Sequence, residues 1–423
     1  MNLMMILRQL WNQRAANGWI LGELVVVTYF LWGVVDPVYV LLSDKALPDH
    51  YDLTDTYLLS IGEYSTNHTK YKPEMASDSL KRIDFMRIVD QVRRYPGVSN
   101  VTVSLFNSYP QSGGWNGGQV FNDTILAYSQ QMTFLSGTDY FGVFRIHDAR
   151  TGQIPPVLAE GEQGIYLTPD LAEKLFGEKY PQNKWVHWGD TTRKFPLTAI
   201  IDPVQIRSNN QPGPLIFKTT SELKHLPRRV RICFRVRDGL ASPVFTETFK
   251  REMRPRMQIG NYYLASLTDF RTESKNFEYY MGTTGTIRLQ TILALFFLLC
   301  VFLGMGGTFW LRCNARREEI GLYMAMGSNR HRLIRQFLFE AWWMVTIAFV
   351  VGALVQLQIV YLNGFAFPPD NPTPDYIQNR PVLHFLIVSV ISYVLILAVS
   401  FVATYIPVSK AARMNPADAL RDE

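Results

Sequence analysis

The run "IRLQTILALFFLLCVFLGMGGTFWL", Ile287 to Leu311, carries no charge after Arg288 and has no polar stripe. A helix with one wet face needs such a stripe, and a bilayer span needs about 20 apolar residues. The run therefore predicts a membrane span. Three more windows read the same way: "WILGELVVVTYFLWGVVDPVYVLL" (Trp19 to Leu42), "AWWMVTIAFVVGALVQLQIVYL" (Ala341 to Leu362) and "VLHFLIVSVISYVLILAVSFVATYI" (Val382 to Ile406). Charged residues make up 18% of the 423, below the roughly 25% of soluble proteins. The first window has Arg8 and Arg14 ahead of it, as a signal peptide does, but it is too long and no small-residue cleavage site follows. Glu23 and Asp36 lie inside it, each towards one end, where a carboxylate is expected to reach the interface.

Short segments set the orientation. Arg8, Arg14, Arg312, Arg316, Arg317, Arg330, Arg332, Arg335, Lys410, Arg413 and Arg421 fall on one side, whereas the loop from Asn363 to Pro381 has only Arg380 beside Asp370 and Asp375. The basic side is expected to be cytoplasmic, with both termini inside and the long segment 43–286 outside. The net charge of +6 then serves topology and anionic lipid and is no sign of nucleic-acid binding. The expected layout is an interfacial helix over 1–18 with Leu3, Leu7 and Leu10 on its apolar face, spans at 19–42, 287–311, 341–362 and 382–406, cytoplasmic segments at 312–340 and 407–423, and an outer loop at 363–381.

Within 43–286, "TDTYLLSIGEYS" reads as a strand, and "SDSLKRIDFMRIVDQVRRYPG" as a helix capped by Ser77 or Asp78 and stopped at Pro96-Gly97. "VSNVTVSLF" alternates like a half-buried strand, and Val120 to Thr133 reads as another. The pattern returns in "RVRICFRVRDG", where Val230, Ile232, Phe234 and Val236 alternate, then in a helix with Ser242 as cap and Pro243 at its first position, then in "GNYYLASLTDF". Two strand–helix–strand units predict a ferredoxin-like split βαβ half over 43–133 and 229–270, with a β-rich subdomain inserted at 134–228. The fold class is thus a helical membrane protein with four transmembrane helices and a large extracytoplasmic α+β domain.

Catalytic patterns are missing from this sequence. It has no G-x-S-x-G elbow, no Cys or His cluster with metal spacing, and one cysteine, Cys233, in the outer segment. "SGGWNGG", Ser112 to Gly118, lacks the Lys and Ser/Thr of a phosphate loop and reads as a hairpin tip. No metal is expected.

Between the second and third spans lies "RREEIGLYMAMGSNRHRLIRQFLFEA". Its apolar spacing predicts a short helix on the membrane, a break at Gly327-Ser328-Asn329, and a helix leading into the third span. "REEIGLYMAMGSNRHRLIRQFLFEA" resembles the R-x-E-I-G-x-x-x-A-x-G-A…-E signature of the MacB/FtsX-type ABC permeases, with Glu319, Ile320, Gly321, Ala325, Gly327 and Glu340 on the matching positions and Ser328 where the family often has Ala. The tail "PVSKAARMNPADALRDE" resembles the family's ending through Pro407, Ala411, Ala412, Pro416, Ala419, Leu420 and Arg421. "DYFGVFRI" and "GIYLTPDLAEKLFG" are similar to phrases of the family's periplasmic domain.

The resemblance implies a permease subunit of the bacterial inner membrane that docks on an ATPase through 319–327 and relays its closure across the membrane. No G-x-x-x-x-G-K-[ST] occurs in the sequence, so ATP and Mg are expected in a separate ABC ATPase subunit, with no cofactor and no enzymatic activity in this chain. The further partners implied are a second permease copy or paralogue, membrane lipid and a periplasmic adaptor. The second span is expected to extend outward through "RTESKNFEYYMGTTGT" as a lever, with Gly282 and Gly285 as weak points. Two other functions share these features: an FtsX-like regulator of an envelope or cell-wall enzyme, and a membrane-anchored enzyme or sensor.

Overall fold

The computed structural model describes residues 14–112, 117–122, 124–207, 211–223, 225–326, 329–365 and 374–413. Residues 1–13 of the interfacial helix expected over 1–18, the centre of the Gly-rich tip (113–116), Gly327, Ser328 and the tail from 414 lie outside these residues, while 14–18 open the first long helix. The chain divides into two units, residues 44–283 and residues 1–43 with 284–423.

In chain order, α1 (Arg14–Lys45) leads to β1 (Thr56–Glu63), α2 (Asp78–Arg93), β2 (Val98–Leu105), β3 (Gly117–Phe121), β4 (Leu126–Leu135) and α3 (Tyr140–Phe144). Next come β5 (Ile165–Leu167), α4 (Pro169–Phe176), β6 (Trp185–Trp188), β7 (Asp190–Ile200), β8 (Leu215–Thr220) and β9 (Val230–Val236). The chain continues with α5 (Pro243–Arg256), β10 (Tyr262–Asp269), α6 (Phe270–Tyr280), α7 (Thr283–Ala315), α8 (Arg317–Ala325), α9 (Arg330–Asn363), α10 (Asp375–Asn379) and α11 (Pro381–Ala411).

The α+β unit contains the expected ferredoxin-like half. Strands run β10-β1-β9-β2, with every neighbouring pair antiparallel. Each strand–helix–strand unit is therefore split by a strand of the other, β9 between β1 and β2, and β1 between β9 and β10. Local signals set both helices. Ser77 Oγ accepts from Leu80 N at the start of α2, and Ser242 Oγ accepts from Phe245 N where Pro243 opens α5. Their apolar faces, Phe85, Ile88, Val89 and Val92 on one and Phe249 and Met253 on the other, close over Leu59, Val103, Ile232 and Phe234.

The sheet does not stop at β2. It continues β4-β3-β6-β7-β5-β8, and a parallel β4–β8 pairing closes these six strands into a ring. Their inward residues, Val120, Ile165, Leu167, Val186, Phe195 and Ile216, cluster with Leu171 and Leu175 of α4. β4 is the shared strand. Its first half pairs with β3, its second half with β8, and Thr133 and Phe134 also meet β2. The expected single strand from Val120 to Thr133 is thus a hairpin, and the expected division at 133/134 falls inside β4. Nothing local in the sequence marks that change, because one strand serves both sheets.

β9 is buried on both faces. Ile232 and Phe234 face the α2/α5 core, while Cys233 joins Leu58, Phe134, Tyr140, Phe217 and Phe270 on the other side. Arg235 lies on that second side and is 2% exposed. Its Nε donates to Val143 O at 2.7 Å, and Nη1 to Thr54 O at 2.7 Å and Asp52 Oδ2 at 3.2 Å. Nη2 donates to Asp52 O. Arg145 binds the same Asp52 oxygen at 3.1 Å. Burial pushes the Asp52 carboxyl up, but hydrogen bonds from Thr54 and the charges of Arg235 and Arg145 outweigh it and hold the carboxyl below the usual carboxylate range.

The second unit is the membrane bundle. Four helices are long and apolar enough to span, at Gly18–Lys45, Thr283–Ala315, Arg330–Asn363 and Pro381–Ala411. Helices are the natural spanning element because their backbone hydrogen bonds are made within the segment. Small residues set the closest approaches. A Cβ on Gly352 would come within 2.8 Å of Thr28 Cβ and 3.0 Å of Val25 O. The expected lever is interrupted: α6 ends at Tyr280, Gly282 has φ +76°, and α7 begins at Thr283, with Gly285 inside it. A left-handed residue cannot continue a right-handed helix, and glycine adopts it without a Cβ penalty.

Candidate functional site

The cytoplasmic motif of the sequence forms its own small helix. α7 ends at Ala315, α8 follows at Arg317, and α9 opens at Arg330 with Asn329 Oδ1 accepting from His331 N. The third span is therefore one helix with the basic segment before it, longer at its start than the expected 341–362. No proline or glycine interrupts residues 330–351, so the helix that leaves the turn continues into the span.

α8 has two faces. Ile320 is 5% exposed and belongs to one apolar cluster with Cys313 of α7, Leu333 and Phe337 of α9, Val408 and Ala411 of α11, and Ala412. Gly321 is also buried. On the other side Glu318 and Glu319 are exposed, with Leu322 at 53% and Met326 at 67%. Spacings of three to four residues put Glu318, Glu319, Leu322 and Met326 on one helical face. Ala325 ends the helix. Of the tail motif, Pro407 is buried within α11, whereas Pro416, Ala419, Leu420 and Arg421 lie outside the described residues, as does Gly327.

Beneath α8 the ends of two spans carry opposite buried charges. Arg312 of α7 and Glu340 of α9 are 4.0 Å apart, and Arg312 Nη2 also reaches Met344 Sδ at 3.6 Å. The Arg312 guanidinium sits 5.1 Å from the Phe309 ring centre. Glu340 was visible in the sequence as a motif position, but its partner was not. Arg312 reads there as one more residue of a basic loop.

Polar residues deeper in the bundle depart from expectation. Asp36 does not reach an interface: it is buried and paired with His384 of α11 at 2.6 Å. Four residues earlier, Trp32 Nε1 donates to Ser389 Oγ at 3.1 Å. Glu23 is half-buried, and a Cβ on Gly304 of α7 would collide with its carboxylate. The sequence signal for the Asp36 contact was His384 in a span window, which has no alternative way to solvate its ring nitrogens.

In the α+β unit a cavity of ≈ 440 Å³ is lined by Thr54, Asp55, Tyr57, Ser242, Thr246 and Asp269, among others. Its carboxylates are already engaged. Asp55 accepts from Gly239 N and Ala241 N, and Asp269 caps α6 through Thr272 N.

Four candidate spans, an α+β domain inserted between the first and second, and a short helix folded under the ends of the bundle define a polytopic membrane protein. Residues 291–416 match the family profile described as FtsX-like permease C-terminal. Over 338 residues, 78% of this chain and 44% of the relative, the sequence is 28% identical to the macrolide export ATP-binding/permease protein MacB of Bordetella avium. It is 23% identical to the MacB of Neisseria gonorrhoeae over 276 residues, 62% of this chain and 39% of that protein. The chain thus spans about two fifths of the length of these curated relatives. Among solved structures, the periplasmic region of MacB from Actinobacillus actinomycetemcomitans aligns with 53% of the chain and 93% of its own length, with 13% identity and a TM-score of 0.33. The chain thus carries an FtsX-like permease domain over residues 291–416 and is similar in sequence to MacB-type export permeases.

Proposed function

We propose that this chain is the membrane subunit of an ABC exporter and that α8 is where it receives the work of ATP hydrolysis. The observation that carries this reading is the two-faced α8. Ile320 anchors it among residues of three spans, while Glu318, Glu319, Leu322 and Met326 are presented outward. A partner that pushed on that exposed face would load α7, α9 and α11 together, because the anchoring cluster is close-packed and transmits strain. Arg312–Glu340 ties α7 to α9 at the same level.

In this reading α8 and both termini lie in the cytoplasm of a bacterial inner membrane, and residues 44–283 form an extracytoplasmic domain. ATP and Mg are bound by an ATPase, the chain works as a dimer with a second copy or a paralogue, and an outer adaptor contacts the extracytoplasmic domain. Closure of the ATPase pair is relayed through the spans to the outer domain, which moves an exported or extracted substrate. Two relatives are named for export, of macrolides and probably of syringafactin; this supports the export class for the chain without selecting a substrate.

The test is a mild-detergent pull-down of the tagged chain from its host, with mass spectrometry of what accompanies it. An ATPase with a Walker motif is expected for the wild type. It should be lost with Glu319→Lys or Gly327→Trp, while the outer domain keeps its fold by limited proteolysis. Unchanged ATPase recovery with both variants would remove α8 from the coupling role. An intact dimer without ATPase, even with ATP or vanadate, would favour a regulator of an envelope enzyme instead.

A further inference from the structure

The cavity of ≈ 440 Å³ in the α+β unit falls in the size range of small-molecule sites, about 300–1,000 Å³. It lies where β1 starts and β10 ends, and Tyr57 and Asp269 stand opposite each other in that strand pair. The first turns of α5 and α6 open onto it through their caps, Ser242 and Asp269. All its lining residues fall within 44–283.

Its walls carry unbalanced charge. Asp55, Asp269 and Glu247 line it against one cation, Arg271. Glu247 pairs with Lys250 on α5, whereas Asp55, Asp269 and Arg271 make no ion pair among the described residues. The backbone bonds to Asp55 and Asp269 fix both side chains but bring them no countercharge. Asp269 uses Oδ1 for its cap bond, and its Oδ2 takes no hydrogen bond among the described residues. Partly exposed aspartates are ionised at neutral pH. Burial pushes the Tyr57 hydroxyl up, and the charges of Asp269 and Asp55 push it further, so the field of both carboxylates reaches that group.

The same hydroxyl is short of an acceptor. The Tyr57 residue is 1% exposed, and its oxygen accepts from Ser242 N at 3.2 Å. An O–H···O bond is about 2.7–2.8 Å long, yet the Ser242 carbonyl is 3.5 Å from the Tyr57 oxygen. Thr246 Oγ1, also at 3.5 Å, already donates to that carbonyl at 3.1 Å. A buried donor this far from its partners points to an acceptor that enters the cavity. The space suits an organic molecule, and no three His, Cys, Asp or Glu among the described residues are grouped to hold a metal.

We infer that this cavity binds an organic cation, with an ammonium group against Asp269 and Asp55 and a hydrogen-bond acceptor of the same molecule taking the Tyr57 proton. Leu53, Ala241 and Pro243 supply an apolar wall for the body of the ligand. Binding there requires neither an ATPase nor the topology proposed above.

The test uses the full chain in nanodiscs, with empty nanodiscs as the blank. The probe is N-trimethylated phenylalanine amide, a permanent cation with a carbonyl acceptor and an apolar ring. Its neutral counterpart is N-acetyl phenylalanine amide. Equilibrium dialysis should find one saturable site per chain for the cation, and binding of the neutral amide about tenfold weaker or less. Asp269→Asn removes the charge and keeps the cap, since asparagine caps as well as aspartate. It should weaken the cation about tenfold. Tyr57→Phe should weaken it about threefold, and Glu173→Gln, on the exposed side of α4, should leave it unchanged. Thermal melts establish that each variant is folded. Equal binding of cation and neutral amide, no saturable binding below about 10 mM cation, or wild-type affinity in folded Asp269→Asn would each overturn the site. The first two outcomes need only wild type, so they decide the matter even where a variant fails to fold. Whether an ATPase accompanies the chain is read separately, in the pull-down.

Discussion

Buried charge is handled in opposite ways in the two units. In the α+β domain Arg235 is richly bonded: three carbonyls and the Asp52 carboxylate take four of its five N–H donors. In the membrane bundle the opposite charges are held less closely: Arg312 and Glu340 stand 4.0 Å apart with Arg316 and Gln336 also acting on Glu340, and His384 has one nitrogen bound to Asp36 and the other without a partner among the described residues. A saturated charge fixes one arrangement, since every alternative strands several groups at once. A sparsely bonded pair leaves alternatives close in energy. The domain is built to stay as it is, and the bundle has places where helices can part.

The comparison breaks most readily at Arg235. Arg235→Leu strands three carbonyls and the partly buried Asp52 carboxylate, and should cost about 3–5 kcal/mol in chemical denaturation. A loss under about 1 kcal/mol would mean that the staple is ornamental. In the bundle, Arg312→Leu alone should destabilise by less, because it takes one of the two arginines, Arg312 and Arg316, that act on the buried Glu340, but adding Glu340→Leu should recover most of the loss. Recovery in the bundle pair and none for Arg235 with Asp52→Leu would sharpen the contrast; the reverse would abolish it.

Packing gives the next effect. Gly352→Ala drives a methyl group to 2.8 Å from Thr28 Cβ, and a detergent melt should report about 1–3 kcal/mol of destabilisation. A neutral result would show that α1 and α9 slide apart easily. Ser242→Ala removes the cap of α5 and should cost about 1 kcal/mol.

Acid supplies the mildest test. The Asp52 carboxyl is held below its unfolded value, so its contribution is fully present above the ordinary range near about pH 3.9 and is lost as pH falls through the lowered value. Asp52→Asn should therefore flatten the lower end of the acid limb of stability. It should leave the region near pH 6, where imidazole titrates, as in the wild type.

Much of this was legible in one dimension because the governing forces are local or periodic. Uniform apolarity over about 20 residues marks a span wherever it occurs. Ser242-Pro243 opens a helix through its own side chain and ring, and the β9 alternation shows which residues face the helices. The motif around Glu319 to Gly327 was visible as a pattern, and Ile320 and Glu319 then fell on the buried and exposed faces of α8.

What could not be read is where partners meet across long separations in the chain. Asp36 looked like a carboxylate near a span end, and only tertiary structure brought it to His384, 348 residues later. Arg312 looked like topology, and nothing in the sequence marked Arg235 as buried. β4 gives no local sign that it serves both the ferredoxin-like half and the closed ring. The sequence by itself determined the spans, the helix starts and the split strand–helix–strand plan, because sterics, capping and transfer free energy act over a few residues. Tertiary structure alone decided which polar groups were buried together, because desolvation cost depends on what the rest of the chain places around them.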